Sequence, residues 1–227
     1  MSRTIYLFLF LAMTTTGCGN SLPQEDLTPF VIPPQDAELV YHFADGRQMY
    51  THLLAIEKGE AELEDVIEVP KDLKLPPGLQ WSDLGVSKGH TTDLYTFIIK
   101  EDRVIRRDRK SEQTLLKGPL SASASEWKTR LVNKHAEGQT ERFAECQIVE
   151  IKKQRVLEKK RKTLTVDCLD QTADKRTTLL RIRFAKGLGI IEKAMYISSD
   201  PNMKIDSTPP TIHIQLKSMR PKSTEKW

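Results

Sequence analysis

Short runs of alternating apolar and polar residues, separated by turn residues, constrain the fold of this chain more than any other feature. In residues 212–216, isoleucine, isoleucine and leucine alternate with histidine and glutamine, and residues 39–43 and 180–184 show the same period of two. Side chains on a β-strand point alternately to opposite faces, so this pattern predicts strands with one buried face. We therefore predict a mainly β protein, either a single antiparallel curved sheet or an incomplete barrel built from hairpins, with at most one or two short helices.

Turn residues between these runs predict how consecutive strands are joined. Asp45-Gly46 lies between two alternating runs and is typical of a hairpin turn, because both residues tolerate the positive φ that such a turn needs. Residues 95–99 and 103–107 predict a second hairpin. One segment favours a short helix instead, the acidic stretch EKGEAELEDV at residues 57–66, although its apolar face is thin.

The first 17 residues have the layout of a secretory signal. Arg3 precedes an apolar run over residues 5–13 that is too short to span a bilayer, and small residues then lead directly to Cys18. This arrangement resembles the lipobox of bacterial lipoproteins. The resemblance implies cleavage before Cys18, acylation of its sulfur and new amino group, and a protein anchored in the cell envelope. Gly19 follows in place of an acidic residue, which resembles outer-membrane sorting in a cell with two membranes.

Composition changes divide the rest of the chain into three parts. Residues 18–36 contain four prolines without apolar periodicity, so we predict a lipidated cysteine followed by an extended tether. An ordered strap across the domain is the alternative, because residues 30–32 are phenylalanine, valine and isoleucine. Residues 37–216 are predicted to form a single β-rich domain, and residues 217–227 a polar C-terminal tail.

The cysteine count fits an exported protein once Cys18 is lipidated. Cys146 and Cys168 then remain as a possible pair in an oxidising compartment. If residues 143–151 fold back on residues 163–169 as a third hairpin, the two cysteines lie opposite each other at a separation, roughly 4.5–5.5 Å between Cα atoms, that a disulfide accepts. We predict this disulfide; two free thiols buried as small apolar groups are the alternative.

The tip of this third hairpin, near Leu157, is strongly basic. Its basic residues are Lys152, Lys153, Arg155, Lys159, Lys160, Arg161 and Lys162. One interpretation is a contact patch for anionic lipid or for an acidic envelope protein. The other, which we favour at this point, is a solvated hairpin end whose lysines prevent edge-to-edge aggregation.

Charge and motif content argue against nucleic-acid binding and against several common enzyme classes. The formal net charge is +4 and becomes +3 when Arg3 leaves with the signal, too little for a nucleic-acid interface on an exported protein. The sequence contains no HExxH, P-loop or CxxC motif. Its five histidines are scattered, and only His42 and His52 could approach each other, across the first hairpin. We expect a non-enzymatic protein without a cofactor or a metal.

Three further segments resemble stretches of uncharacterised bacterial envelope lipoproteins. Residues 116–120 with Trp127 are similar to their "Pro-Leu…Trp" stretch. Residues 138–149 are similar to a "Gly-Thr-Phe-x-x-Cys-x-x-Val" strand, and residues 184–191 to an "Ala-x-Gly-x-Gly" turn. The resemblance implies an exported, β-rich lipoprotein of unassigned biochemistry, and it supplies no catalytic residues.

The function that follows is a membrane-anchored binding or assembly module of the envelope. The alternative is a half-barrel carrier or acceptor of lipid or lipoproteins in the periplasm, whose concave sheet would cradle acyl chains. That alternative needs an uncovered apolar face, lined by aromatic residues such as Trp81, Tyr95, Phe97 and Trp127. The competing interpretation is that these aromatic side chains fill the core.

Overall fold

The part of the chain that the structure describes is mainly β, as predicted. A computed structural model describes residues 25–69, 86–87, 89–109, 111–120, 125–132, 141–171, 177–198 and 208–222. The elements within these residues are α1 Thr28–Val31, β1 Ala37–Phe43, β2 Gln48–Glu57, β3 Glu60–Glu68, β4 Val86–Ser87, β5 His90–Ile99, β6 Arg103–Asp108, β7 Glu112–Lys117, β8 Glu126–Val132, β9 Glu141–Val156, β10 Lys159–Gln171, β11 Thr177–Ala185, β12 Gly189–Ser198 and β13 Ile212–Pro221.

All the strands belong to one antiparallel sheet that is nearly closed as a barrel. Twelve of them follow the order β7-β6-β5-β3-β2-β1-β13-β12-β11-β10-β9-β8, and β4 pairs with β5 beside this path. Neighbours in the barrel are mostly neighbours in sequence, which is the arrangement that consecutive hairpins produce. The predicted curved sheet or incomplete barrel is confirmed.

The barrel has a seam between β7 and β8, the two ends of the strand order. No backbone ladder joins these two strands in the described part of the chain. The indole N–H of Trp127 on β8 instead donates to the carbonyl of Thr114 on β7 at 3.0 Å. The Thr114 N–H in turn donates to the Thr129 hydroxyl at 2.9 Å. Side chains therefore satisfy backbone groups that a ladder would otherwise pair.

The Asp45-Gly46 and β5–β6 hairpins form, although Gly46 has positive φ and Asp45 does not, so the first turn differs from the predicted one. The predicted acidic helix at residues 57–66 is wrong. That segment contains the turn at Lys58-Gly59, where both residues have positive φ, followed by strand β3. Ala61 and Leu63 are buried and alternate with glutamates, so the apolar residues share one face only at a period of two. The thin helical face was the signal against the helix.

The C-terminal tail is shorter than predicted. β13 continues through Pro221 and pairs with β1 from Ile214 onward, with Ala37 opposite Pro221. The polar residues after Leu216 therefore belong to the sheet, because pairing with β1 satisfies their backbone groups whatever their side chains are. Residues 223–227 lie outside the described residues.

The N-terminal segment is an ordered part of the barrel from residue 25 onward, so the tether prediction is wrong for residues 25–36. Leu27, Phe30 and Val31 are buried among the side chains that line the barrel. The Gly187 N–H donates to the Pro29 carbonyl at 2.6 Å. The alternative interpretation, an ordered strap across the domain, is correct for these residues. We call the end of the barrel that α1 fills the plugged end.

The third hairpin is longer than predicted and contains the predicted disulfide. Cys146 lies opposite Cys168 in the β9–β10 register with 4.0 Å between their Cα atoms, and Ile148 lies opposite Val166. All four side chains are buried in the main core. The bond therefore fixes a register in which the apolar residues of both strands face the barrel interior.

Removing the disulfide is expected to cost stability without changing the fold. The double variant Cys146→Ala/Cys168→Ala should lose about 3 kcal/mol of unfolding free energy, because the bond closes a loop with a sequence separation of 22 in the unfolded chain. Urea unfolding of both proteins measures the difference. Alkylation of both cysteines in the native protein without reductant would contradict the bond itself.

A buried ionic group lies on the outer face, where β1 meets β2 and β13. Glu38 is fully buried and accepts a hydrogen bond from the Arg220 guanidinium. The His52 Nε2 lies 3.2 Å from the second Glu38 oxygen. Loss of water lowers the pKa of His52 and outweighs the opposing attraction of Glu38. His42 lies opposite Gln48 rather than opposite His52.

We expect the protein to lose stability as the pH falls below about 6.5, the pKa of an unfolded histidine. The folded-state pKa of His52 is lowered, so the unfolded chain binds the proton more tightly, and acid favours unfolding. Urea unfolding at pH 8 and pH 5.5 should show this loss in the wild type and a smaller loss in His52→Gln. His213→Gln, at a more exposed histidine, is the matched control. If His52→Gln loses as much stability at pH 5.5 as the wild type does, other titrating groups cause the loss and the prediction is wrong.

Candidate functional site

The N-terminal segment and the basic hairpin meet at the plugged end. The Lys162 ammonium lies 2.6 Å from a carboxylate oxygen of Glu25 and 5.9 Å from the centre of the Phe30 ring. The Arg161 guanidinium donates to the carbonyl of Lys186 at 3.0 Å, in the turn between β11 and β12. Two of the seven predicted patch residues therefore hold the N-terminal segment and a neighbouring turn in place.

The other five basic residues of the hairpin are exposed. We call them the basic patch: Lys152, Lys153, Arg155, Lys159 and Lys160. Leu157 and Glu158 form the turn between the two strands with φ values of 45° and 66°. Lys152 forms an exposed ion pair with Glu150 at 2.9 Å, which contributes little in water. The patch thus presents concentrated positive charge on a protruding hairpin.

The anchor itself lies outside the described residues, as do Cys18 and the signal at residues 1–17. None of the described helices has the length and apolar character needed to cross a membrane. Of the aromatic residues that a lipid-binding concavity would need, Tyr95, Phe97 and Trp127 are buried in the main core. Trp81 lies outside the described residues. The three described aromatics fill space between the walls of the barrel, which is the competing interpretation given above.

A second site, which the sequence analysis missed, lies inside the barrel. We call it the charged cluster, and it consists of Asp65, Asp93, Arg106, Asp108 and Lys193. The Arg106 guanidinium bridges Asp93 at 2.8 Å and Asp108 at 2.5 Å. It also lies over the ring of Tyr95, 4.5 Å from its centre. These groups project from β3, β5 and β6 on one wall, and Lys193 projects from β12 on the other.

Asp65 is the buried anion of this cluster. It accepts hydrogen bonds from the Thr51 hydroxyl at 2.5 Å and from the Tyr95 hydroxyl at 3.1 Å. Burial and the Asp65 charge together raise the pKa of Tyr95 well above its usual value, so the phenol stays protonated and remains a donor. The Asp65 charge is therefore stabilised by hydrogen bonds from its own wall.

The charge of Lys193 is not stabilised by hydrogen bonds of this kind. Lys193 lies opposite the core residue Ile182 in the β11–β12 register and therefore faces the interior. Its ammonium has neither a hydrogen bond nor an ion pair in the described part of the chain. Burial lowers the pKa of Lys193, and attraction by Asp65 across the barrel opposes that effect.

The missed signal was a charged residue at an inward position of an apolar strand. In β12, Lys193 shares its face with Met195 and Ile197, and in β3, Asp65 shares its face with Ala61 and Leu63. Alternation assigns these positions to the interior, where a charge is costly unless it has a role or a partner. A count of inward charges along the predicted strands would have found Lys193, whereas Asp65 lies in the segment that the sequence analysis predicted as a helix.

A G-x-S-x-G motif lies in a backbone arrangement that differs from the nucleophile elbow of hydrolases. Residues 85–89 read GVSKG and match the G-x-S-x-G pattern of hydrolase nucleophile elbows. That role requires a strand-to-helix turn. Ser87 instead ends the two-residue strand β4 and lies opposite His90 in antiparallel β5. No group of three or more histidine, cysteine or acidic residues suited to a metal ion occurs among the described residues.

Comparison with known proteins gives no relative from which a function could be taken. The chain matches no protein-family model, no curated protein and no solved structure.

The packing of α1 can be tested by shortening one side chain. Phe30→Ala should cost about 3–5 kcal/mol of unfolding free energy, because Phe30 is fully buried and its loss leaves a cavity. Phe143→Ala is the control, since Phe143 is 53% exposed and should change stability by less than about 0.5 kcal/mol. If Phe30→Ala and the wild type have equal urea unfolding curves, α1 does not pack in the core, and residues 25–36 are a tether after all.

Proposed function

We propose that this protein is a bacterial lipoprotein, anchored in the cell envelope through Cys18, that presents a β-barrel binding or assembly module without enzymatic activity. The lipobox resemblance supplies the anchor, and the disulfide fits the oxidising compartment that such an anchor implies. In a cell with two membranes, Gly19 favours the outer membrane.

The observation that carries the proposal is the position of Glu25 at the plugged end. Glu25 lies only seven residues after Cys18, and a fully extended chain of seven residues reaches roughly 25 Å. The ion pair of Glu25 with Lys162 ties the start of the ordered chain to the basic hairpin. An anchor at Cys18 would therefore hold the plugged end close to the membrane.

This placement changes the interpretation of the basic patch. If the hairpin end were only solvated, its position relative to the anchor would not matter. Its contact with Glu25 instead places it next to the segment that leads to the proposed anchor. Basic residues near an anionic membrane surface contribute about 1 kcal/mol each. The patch then supplements the acyl chains and turns the plugged end toward the lipid headgroups, leaving the opposite end of the barrel facing away.

The anchor is tested by metabolic labelling with radioactive palmitate, followed by cell fractionation. Wild-type protein should incorporate label and sediment with membranes, because acylation at Cys18 supplies the anchor. Cys18→Ala should incorporate no label. Label in the variant, or unlabelled wild-type protein, would contradict the proposal.

The orientation is tested separately with vesicles, in the Cys18→Ala chain so that acyl chains do not contribute. Lys159→Glu/Lys160→Glu should reduce binding to phosphatidylglycerol vesicles by at least about tenfold. Lys128→Glu/Lys217→Glu changes the net charge equally at exposed sites outside the hairpin and is the control. If both double variants lose vesicle binding equally, the net charge of the protein and not the position of the basic patch determines binding, which would contradict the proposed orientation.

A further inference from the structure

The basic hairpin has two faces, and one of them carries directly opposed positive charges. In the β9–β10 register, Lys153 lies opposite Lys162 and Arg155 lies opposite Lys160. Because side chains alternate along a strand, these four cations share the face of Leu164, which is completely buried in the main core. They therefore continue the inner surface of the barrel wall along the hairpin. We call them the inner basic face.

The other face of the hairpin has no directly opposed cations. Its basic residues are Lys152, Lys159 and Arg161. Lys152 pairs with Glu150 at 2.9 Å, and Arg161 donates to a backbone carbonyl at 3.0 Å. Lys159 lies opposite the apolar Val156. The charges on this face are thus partly compensated and spread apart.

The inner basic face keeps three positive charges close together. The Cβ atoms of directly opposed residues lie roughly 4.5–5.5 Å apart, and like charges at this separation destabilise a strand pair. Glu25 neutralises Lys162. The three others, Lys153, Arg155 and Lys160, are exposed and form no ion pair with a described residue, the turn residue Glu158 included. An anionic partner would remove the repulsion among them.

The hairpin that carries these charges is held in place. Leu157 and Glu158 have φ values of 45° and 66°, in a left-handed region that a bulky residue such as leucine seldom adopts. Val156 and Leu157 pack against a buried cluster that includes Leu188 in the β11–β12 turn. The backbone positions of the three cations are therefore fixed before a partner arrives, which reduces the entropy cost of binding.

We infer that the inner basic face binds the phosphomonoester headgroup of a membrane lipid, with Lys153, Arg155 and Lys160 around one phosphate. A phosphomonoester carries a charge of about −1.5 to −2 at neutral pH and three acceptor oxygens. Three converging cations match this group better than they match the single charge of a phosphodiester, and a guanidinium can bind two of the oxygens at once.

The position of this face favours a lipid over a soluble phosphate. The contact of Lys162 with Glu25 places the inner basic face beside the segment that leads to the proposed anchor. The inference therefore rests on the proposed membrane contact and specifies the class of lipid. It also divides the basic patch into a binding face and a face that contributes only general charge.

Vesicle sedimentation with the Cys18→Ala chain tests the lipid class. Phosphatidylcholine vesicles that contain phosphatidate are compared with vesicles that contain enough phosphatidylglycerol to give the same surface charge. The chain should bind the phosphatidate vesicles at least about tenfold more tightly. Lys153→Gln/Lys160→Gln should abolish this preference. Lys152→Gln/Lys159→Gln, which removes the same charge from the other face, is the matched control and should keep it.

The possible failures of this inference differ from those of the proposed orientation. Equal binding to both kinds of vesicle, or an equal loss of preference in both double variants, would overturn the inference and leave the orientation intact. Binding to neither kind would contradict both. Calorimetric titration with glycerol 3-phosphate distinguishes the source, because binding of this soluble ester as tight as that of the phosphatidate vesicles would overturn the assignment to a lipid.

Thermal unfolding separates a binding role of these cations from a structural one. Lys153→Gln/Lys160→Gln should unfold at the same or a higher temperature than its parent, because it removes opposed like charges. A lower unfolding temperature would assign the two lysines to the fold and overturn the inference.

Discussion

The width of the barrel is the constraint on which the rest of this structure depends. Eight strands enclose a space that wall side chains fill, and sixteen or more enclose water, so about twelve strands leave an interior that the wall alone does not fill. The chain fills one end with α1, whose Phe30 is completely buried. The other part of the interior contains Lys193 and the carboxylates that attract it from the opposite wall. Both α1 and the charged cluster therefore occupy space that exists because the barrel has about twelve strands.

The plug also links the proposed anchor to the core. A glycine is required at residue 189, where φ is +81° and a Cβ would lie 3.0 Å from the Val31 carbonyl, so α1 is packed too closely for a side chain there. The segment that leads back to Cys18 therefore begins from a rigid support. The proposed anchor would then restrict the orientation of the domain more than a flexible tether running as far as residue 36 would.

Local patterns predicted the strands and hairpins well, and long-range packing decided the rest. The period of two and the Asp45-Gly46 turn were sufficient for β1, β2 and the fold class. The Cys146–Cys168 register followed from matching apolar faces, and the structure confirms it. The position of residues 25–36 could not follow from local pattern, because their prolines indicate only extended chain, whereas burial of Phe30 depends on strands far away in sequence. The inward position of Lys193 is visible in the local pattern, but its grouping with Asp65 is not, since the charged cluster assembles from both walls of the barrel.

The pairing of β1 with β13 has a consequence for how the sheet forms. β1 is made first and β13 last, so the contact that joins them has the longest sequence separation in the sheet. Every other described ladder of the barrel joins strands that are close in sequence and can form as the chain lengthens. Until residue 221 is available, one edge of β1 has no partner and is a template for strands of other chains. A truncated or incompletely translated chain would therefore be a hazard for its neighbours, even with most of its hairpins formed.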